Sequence, residues 1–427
     1  MKILWLVPNT PTAIQKTEKN IVTAGWIDTL EHEISNRLEI ELGVAYFSTT
    51  FQLKKVEIKI TEKLIYYEIP KCRYLKSLKR ESRQKNNVNF YLEIISHFKP
   101  DIIEVFGTES DFGLIIKKIN IPVIIHIQGV LGVCYHSNEA IYSTFKKYDV
   151  LKQSSEIVKL DLFIYIKNYF RLLKSKRENK YLKNRIKTEN IIYKECKYFS
   201  GRTDWDRRIV KLLADEAKYY HIDEILRPIF FKNYWNKSNL GTKLQFVSII
   251  GPSPYKGLET VVEAATLLTN KNIKFIWKII GIKNTDGIAQ ITQMKYKIKY
   301  DQISVSLLGK KNENDMITIL LDSNIYIHPS HIENSSNSVC EAMLLGMPII
   351  ATYAGGTGSL IENNKEGLLI QDGDPYSMAG TIIDLISKPI LAEKLGKKAR
   401  LKAIKRHNPK QIIENTINAY KSILIKP

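Results

Sequence analysis

The sequence predicts an α/β protein of two doubly wound domains in tandem, and three observations carry that prediction. Apolar runs of strand length alternate with amphipathic stretches of helical period through the first ~130 residues. The same rhythm restarts near Leu244 after an interruption. Several apolar runs end in glycine ("DIIEVFG", "LQFVSIIG", "QISVSLLG"), as a strand does when it passes into a tight loop. The 427 residues suffice for two or three domains at roughly 100–200 residues each.

In chain order, "KILWLVP" is a first strand. "GWIDTLEHEISNRL" is a helix with Trp26, Ile27, Leu30, Ile34 and Leu38 at helical spacing. "LGVAYF" is a strand, "FYLEIISHFKP" a helix stopped by Pro100, and "DIIEVFG" the next strand. "FGLIIKKIN" is helical and "IPVIIHIQG" a strand. Such alternation builds a parallel sheet covered on both faces. A basic stretch, 151–190, interrupts it: nine Lys/Arg and one acid lie between Lys167 and Lys187. Leu162, Ile166, Tyr169 and Leu173 fall on one helical face there. That pattern suits either a solvated helix covering the domain or a peripheral contact with an anionic membrane surface. "CKYFSGRTDWD" is a further strand-like run.

In the second half, "LQFVSIIG" is a strand and "KGLETVVEAATLLTN" a helix. "IKFIWKIIG" and "QISVSLLG" are strands, "NDMITILLDS" a helix, "NIYIHPS" a strand, "SVCEAMLLG" a helix and "MPIIATYAGG" a strand. "DPYSMAGTIIDLIS" is a helix with Asp374 as N-cap and Pro375 at its first position. The expected domains are 1–235 and 236–408, joined through the aromatic, basic segment 227–243, with a last helix, about 409–427, that can pack back on the first domain or on the second. Two such domains are expected to face each other across a cleft at the carboxyl ends of their strands, where open α/β sheets bind ligands.

Composition narrows the function. The hydrophobic fraction, 44%, is that of a protein with a large core, and no apolar run approaches the ~20 residues of a membrane span. "MKILWLVPNT" turns polar too soon for a signal peptide. Cys72, Cys134, Cys196 and Cys340 have neither metal-site spacing nor the density of a secreted scaffold, so a cytoplasmic setting is expected. The sequon at Asn334 has no role in that setting. The net charge of +20 suits a phosphorylated substrate, an anionic membrane or nucleic acid. No aromatic-interleaved RNA-binding module accompanies it, so nucleic acid is not the expected partner.

One segment carries chemistry. In "ENSSNSVCE" two carboxylates, Glu333 and Glu341, stand eight residues apart, the first before a helix and the second inside it. A helix start offers unpaired N–H groups and a partial positive charge, a seat for phosphate. A carboxylate that accepts two hydrogen bonds suits the paired hydroxyls of a ribose or hexose. The spacing therefore fits a diphosphate with a sugar on one side and a nucleoside on the other. Gly355-Gly356, after the next strand, lets backbone approach a ligand closely. Ser338 to Glu341 also reads as a capping box, in which Glu341 only closes the helix start.

The Glu333–Glu341 pattern, with "EAMLLGMPIIATYAGG", "EGLLIQDGDP" and the upstream "IIGPSPYKGLETVVEA", closely resembles the retaining family-4 glycosyltransferases of GT-B fold. The resemblance is strong over about 245–405 and weaker through "AGWIDTL", "IIHIQG" and "GRTDWD". It implies a nucleotide-diphosphate sugar as donor and a glycan or lipid-linked acceptor. It places Glu333 near the transferred hexose, Glu341 on the ribose hydroxyls and Lys256 on the diphosphate. Gly251 and Gly257 frame the phosphate loop, and the backbone at Asn337, Ser338 and Val339 holds donor oxygens. Gly25 matches the glycine-rich turn of the first domain. His126 matches a histidine near the reaction centre, although a core histidine satisfied by backbone is the alternative. Glu109, Arg202 and Asp204 follow strands and are acceptor-side candidates, with a surface turn as the alternative for Asp204. The family's phosphate-loop arginine is missing between Gly251 and Gly257, where Pro252 stands. Lys256 with the helix start, or Arg202 from across the cleft, must then carry that charge. A prearranged donor or cation contributes roughly 2.7–4 kcal/mol to such a transition state. A surface helix terminus contributes only about 0.3–1 kcal/mol. Lys256 should thus outweigh the dipole, and neither a metal nor another cofactor is required; Asp204-x-Asp206 and Asp372-x-Asp374 are read as structural or acceptor-side.

The expected activity is retaining transfer of a hexose or N-acetylhexosamine in bacterial surface-polysaccharide synthesis, at the cytoplasmic face. The alternatives are a catalytically weak GT-B relic that binds nucleotide or polyanion, and another GT-B enzyme such as a sugar epimerase.

Overall fold

The computed structural model describes residues 1–14, 25–49, 53–71, 80–136, 181–236 and 244–425. The chain divides into two units. The first comprises Met1–Leu131, Lys183–Arg227 and His407–Pro427; the second, Gly132–Leu182 and Pro228–Arg406.

The first unit is built on an eight-stranded sheet: β1 (Lys2–Val7), β2 (Glu41–Phe47), β3 (Glu57–Ile60), β4 (Leu64–Ile69), β5 (Ile102–Phe106), β6 (Val123–His126), β7 (Tyr198–Gly201) and β8 (Lys218–His221). Their order is β3-β4-β2-β1-β5-β6-β7-β8. Among the described residues only the β3–β4 pair is antiparallel. The central strands are apolar throughout, Ile3 to Leu6 being fully buried, because a parallel strand is covered on both faces. The helices of this unit include α1 (Gly25–Ser35), α2 (Arg80–Phe98) and α3 (Asp204–Leu213). α1 buries Trp26, Ile27, Leu30 and Ile34 as its period requires. Leu38, expected on the same face, is fully exposed, because the helix ends at Ser35. The edge hairpin β3–β4 and strand β8 depart from the strands expected from the sequence: β3 and β8 are largely exposed and lack an apolar run.

The second unit has a six-stranded sheet: β9 (Leu244–Ile249), β10 (Phe275–Ile280), β11 (Val305–Gly309), β12 (Ile325–His328), β13 (Ile349–Thr352) and β14 (Leu368–Ile370). All its pairs are parallel, in the order β11-β10-β9-β12-β13-β14. α4 (Leu258–Asn270), α5 (Asn337–Leu345), α6 (Pro375–Ser387) and α7 (Pro389–Arg406) cover it. Its core joins Phe246, Val261, Trp277, Ile325, Ile350 and Met378. At roughly 1.5–3 kcal/mol per fully buried large apolar side chain, such clusters dominate the stability of each unit.

The stretch after Arg227 is fastened to the second unit. Trp235 donates its backbone N–H to Leu345 O (2.7 Å) and its indole N–H to Ser323 O (2.8 Å). The Arg400 guanidinium grips the carbonyls of Asn233 and Phe231, both at 2.9 Å. The last helix, α8 (Pro409–Leu424), packs Ile412, Ile413, Ile417 and Tyr420 into the core of the first unit. Residues 151–180, most of the basic stretch, lie outside the described residues; 181–195 are helical. Among the described residues no helix is long and apolar enough to cross a membrane.

Candidate functional site

In the second sheet the strand sequence runs outward one way from β9 and the other way from β12. The crevice outside the carboxyl ends of these two neighbours is the switch point, the preferred ligand position in open α/β sheets. The loop after β9 carries Gly251, Pro252 and a single turn, Pro254–Lys256. Gly257 then adopts φ 75°, and α4 begins. A Cβ on Gly257 would collide with Pro329 O, so glycine is required by close backbone contact as well as by φ. Among the described residues a Cβ on Gly251 would meet nothing within 4 Å. The loop after β12 is laced to this one, with His331 N–H donating to Tyr255 O at 2.8 Å.

The lacing brings Lys256 and Glu333 together: the Lys256 ammonium donates to Glu333 Oε1. Lys256 also lies over the Tyr255 ring, 5.3 Å from its centroid. Burial alone would lower the Lys256 pKa, but the charge and hydrogen bond of Glu333, together with the neighbouring Tyr255 and Cys134, outweigh it and the pKa stands above the usual lysine value. Burial likewise works to raise Glu333, and Lys256, with His328 and a Ser330 hydrogen bond, brings it below the usual carboxylate value. Both groups are therefore charged at neutral pH. Glu333 is pinned from behind. Its carbonyl accepts the Gly356 N–H at 2.8 Å, and a Cβ on Gly355 (φ 55°) would collide with the same carbonyl. The glycine pair thus fits itself to the Glu333 backbone.

Two histidines, absent from the sequence-derived candidates, complete the group. His328 ends β12, is buried, and its Nε2 lies 3.7 Å from Glu333 Oε1. Burial lowers its pKa to about 4, Lys256 adding to the effect and Glu333 opposing it. His331 sits between two acids, with Nδ1 2.6 Å from Asp372 Oδ1 and Nε2 against Glu259 in the first turn of α4. Burial works to lower His331, but the two carboxylates overcome it and raise it to about 9. Both histidines stand within five residues of Glu333, a proximity of titratable groups that the sequence does display.

α5 starts at Asn337, and its N-cap, Ser336, makes no side-chain cap bond. The capping box expected as the alternative for Glu341 therefore does not form: Ser338 lies inside the helix. Asn337 Oδ1 is buried without a hydrogen-bond partner among the described residues, and the Ser336 and Ser338 hydroxyls are 3.1 Å apart. Val339 is fully buried. Glu341, one turn in, is buried, and its charge acts with that of Glu333 on the Tyr326 hydroxyl. Asp374 caps α6 through Ser377 N at 2.9 Å, and Asp372 is taken by His331. That second D-x-D pair is structural.

In the first sheet the corresponding switch lies between β1 and β5. A small pocket at the carboxyl end of β1 is lined by Val7, Asn9, Thr10, Pro11, Ile27, Asp28 and Glu31. Glu31 accepts the Tyr66 hydroxyl at 2.6 Å on Oε1; burial, helped by Asp28, pushes its pKa up to about 7. Gly25 opens α1, where a Cβ would sit 3.2 Å from Arg227 Cδ. Glu109 follows β5 in a slot between Gly107 and Gly129, where a Cβ on either glycine would strike its carboxylate. Burial, reinforced by Glu189, raises Glu109 to about 7 against its backbone hydrogen bonds and Arg185. His126, at the end of β6, is buried against Phe106 and Trp26, with Nδ1 3.4 Å from Glu104 Oε1. Among the described residues its Nε2 has no hydrogen-bond partner, so no described backbone group satisfies that nitrogen. Glu104 also accepts the Tyr420 hydroxyl from α8, and Trp5 Nε1 donates to Tyr420 at 3.1 Å.

Arg202 is buried in the first unit, 5.1 Å over the Trp26 ring and 3.9 Å from Glu224. Asp204 is exposed and pairs with Arg207 at 3.0 Å on α3. Asp206 closes a capping box with Thr203, so the first D-x-D pair begins a helix.

Known proteins share this architecture. Residues 232–402 match the family model described as Glycosyl transferases group 1. The poly(ribitol-phosphate) alpha-N-acetylglucosaminyltransferase of Staphylococcus aureus is 27% identical over 171 residues, 40% of this chain and 34% of that protein. A putative colanic acid biosynthesis glycosyltransferase of Escherichia coli is 25% identical over 144 residues, 32% of this chain and 35% of that protein. The chain thus spans only about a third of the length of these relatives. Solved structures align end to end. Sucrose-phosphate synthase from Thermosynechococcus elongatus superposes with TM-score 0.71 at 14% identity, covering 99% of this chain and 98% of that one. Anabaena HepE in complex with UDP and glucose gives 0.63 at 13% identity, covering 99% and 100%. The chain has the GT-B fold of these glycosyltransferases. The stretch that matches the family model holds Lys256, Glu333 and Glu341.

Proposed function

We propose that this protein is a retaining, family-4-like glycosyltransferase that moves a hexose or N-acetylhexosamine from a nucleotide-diphosphate sugar to a glycan or lipid-linked acceptor. The observation that supports this most is the meeting of Lys256 and Glu333 at the β9–β12 switch point, beside a helix start without a side-chain cap. Breaking the anomeric bond puts negative charge on the departing diphosphate. Lys256 and the first N–H groups of α5 are the groups assigned to accept it. Glu333, held ionised and pinned by Gly355-Gly356, is suited to accept hydrogen bonds from the hexose. Glu341, one turn further, is assigned to the ribose. Lys256 supplies the cation that a metal would otherwise provide, so turnover should survive chelation of divalent ions. The glycosyltransferases of polysaccharide synthesis among the relatives favour surface polysaccharide assembly at the cytoplasmic face of a membrane, on which a basic surface would rest. The UDP-bound GT-B neighbours make UDP-sugars the first donors to try.

The experiment is a thermal-shift and donor-hydrolysis screen over UDP-, GDP-, ADP- and dTDP-sugars, repeated with EDTA and with Lys256→Ala. Stabilisation and hydrolysis with one donor, lost in Lys256→Ala, are expected. A relic would bind a nucleotide without hydrolysis or transfer, and an epimerase would convert the free nucleotide sugar. Indifference of Lys256→Ala to every donor would end the reading.

A further inference from the structure

We propose that His328 is a positioning residue of this site, set to take over the Glu333 carboxylate when Lys256 turns to the diphosphate of the donor. The proposal rests on the donor reading above and adds a partner exchange to it. His328 is 1% exposed, and among the described residues neither Nδ1 nor Nε2 has a hydrogen-bond partner. Burying an unsatisfied polar ring is costly, so such a group calls for a partner in some state of the protein. The nearest is already placed. His328 Nε2 lies 3.7 Å from Glu333 Oε1, the same oxygen that holds Lys256. Contraction by roughly 1 Å brings that pair to the ~2.7–2.9 Å of a charge-assisted hydrogen bond.

The surroundings show which partner moves. Glu333 is tied to Gly356 through its own carbonyl, with Gly355 packed against that carbonyl. The loop is tied again at His331, between Glu259 and Asp372. The Lys256 ammonium has a long flexible stem and lies on the Tyr255 ring. An arriving diphosphate competes for that ammonium, and a carboxylate this enclosed is costly without a compensating donor. Among the described residues the groups that face His328 are Glu333, Lys256 and the Tyr326 ring, which stacks at 6.4 Å; the Thr352 hydroxyl donates to the Ser330 carbonyl and lies 3.5 Å from the His328 backbone carbonyl. Burial first, with Lys256 adding to it, holds the ring neutral against the Glu333 charge. Withdrawing Lys256 removes a repelling cation and leaves an acid in need of a donor, and both changes increase the ring's hold on a proton.

The test is NMR titration of protein carrying 13Cε1-labelled histidine, with the His328 signal assigned by its loss in His328→Asn. In the free protein that signal is expected to remain that of neutral imidazole down to pH 5. Saturating UDP should raise its midpoint by at least one pH unit. Lys256→Met should reproduce the rise without nucleotide. A midpoint that stays put while UDP demonstrably binds overturns the proposal, as does an unmoved midpoint in folded Lys256→Met. Should that variant fail to fold, the UDP titration decides alone. If UDP, GDP, ADP and dTDP all fail to raise the melting temperature, it is the donor reading that falls, and Lys256→Met still decides whether His328 answers to Lys256.

Discussion

Each unit places acids at the same topological position, the switch point of its sheet, yet the two sets are held in opposite states. In the second unit Glu333 is kept ionised by Lys256, and His331 is kept protonated by Glu259 and Asp372. In the first unit Glu31 and Glu109 are pushed by burial to about 7, half neutral under physiological conditions. The same residue type behaves differently because burial without a cation favours the neutral acid, whereas burial beside a cation favours the ion. A site of fixed charges suits a dianionic diphosphate. A site of half-neutral acids suits hydroxyl groups, which can be donated to as well as accepted from. The contrast is the one that the proposed donor in the second unit and hydroxyl acceptor in the first would call for.

The contrast can be broken most forcefully at Lys256. Lys256→Ala should lower turnover by about 10²–10³-fold if the cation stabilises the leaving diphosphate. Steady-state kinetics with the donor found by screening measure this, and a loss below tenfold removes Lys256 from that role. Next in size is the His331 clamp. Its pKa is raised from the ordinary 6.5 to about 9 in the folded protein. The stability it contributes is therefore complete below about 6.5 and is lost as pH rises through 9, on the order of 2–3 kcal/mol. Denaturant unfolding between pH 6 and 10 should show that decline in the wild type, and His331→Leu should flatten it. A parallel decline in both proteins assigns the pH dependence elsewhere.

The corresponding effect in the first unit is smaller. Glu31 also has a raised folded pKa, so its contribution is full below about 4.5 and lost as pH climbs through 7. Glu31→Gln keeps an acceptor for Tyr66 and removes the ionisation. At pH 8 it should be more stable than wild type by about 1–2 kcal/mol, with no difference at pH 4. A destabilised variant at pH 8 would show the carboxylate to be paired with a cation after all. The smallest effect belongs to Asp204, an exposed acid at the start of α3 paired with Arg207. Asp204→Ala should cost only about 0.3–1 kcal/mol, fading in high salt. Loss of transfer with stability intact would instead restore Asp204 to the acceptor side.

The strands β1, β2, β5, β6 and β9–β13 and most helices are legible in the sequence, because a parallel strand covered on both faces must be apolar along its length. Strands β3 and β8 are not, because edge strands half in water carry no such signal. Helix α1 is read one turn too far: Leu38 keeps the apolar period, but the chain has turned away at Ser35. Lys256, Glu333 and Glu341 are legible as residue types at suggestive positions. That Lys256 and Glu333 form a pair, 77 residues apart, is not.

The sequence by itself determined the α/β alternation, the restart that makes two units, and the loop chemistry after β9 and β12, since periodicity, glycine placement and residue type are local properties. The tertiary structure alone decided which loops meet and hence which charges survive. Strand order sets β9 beside β12, that contact joins Lys256 to Glu333, and enclosure by the fold sets His328 neutral, His331 charged and Glu31 in between. The physical reason is that a side chain's charge depends on how much water and which neighbours the fold leaves it, and neither is a property of adjacent residues.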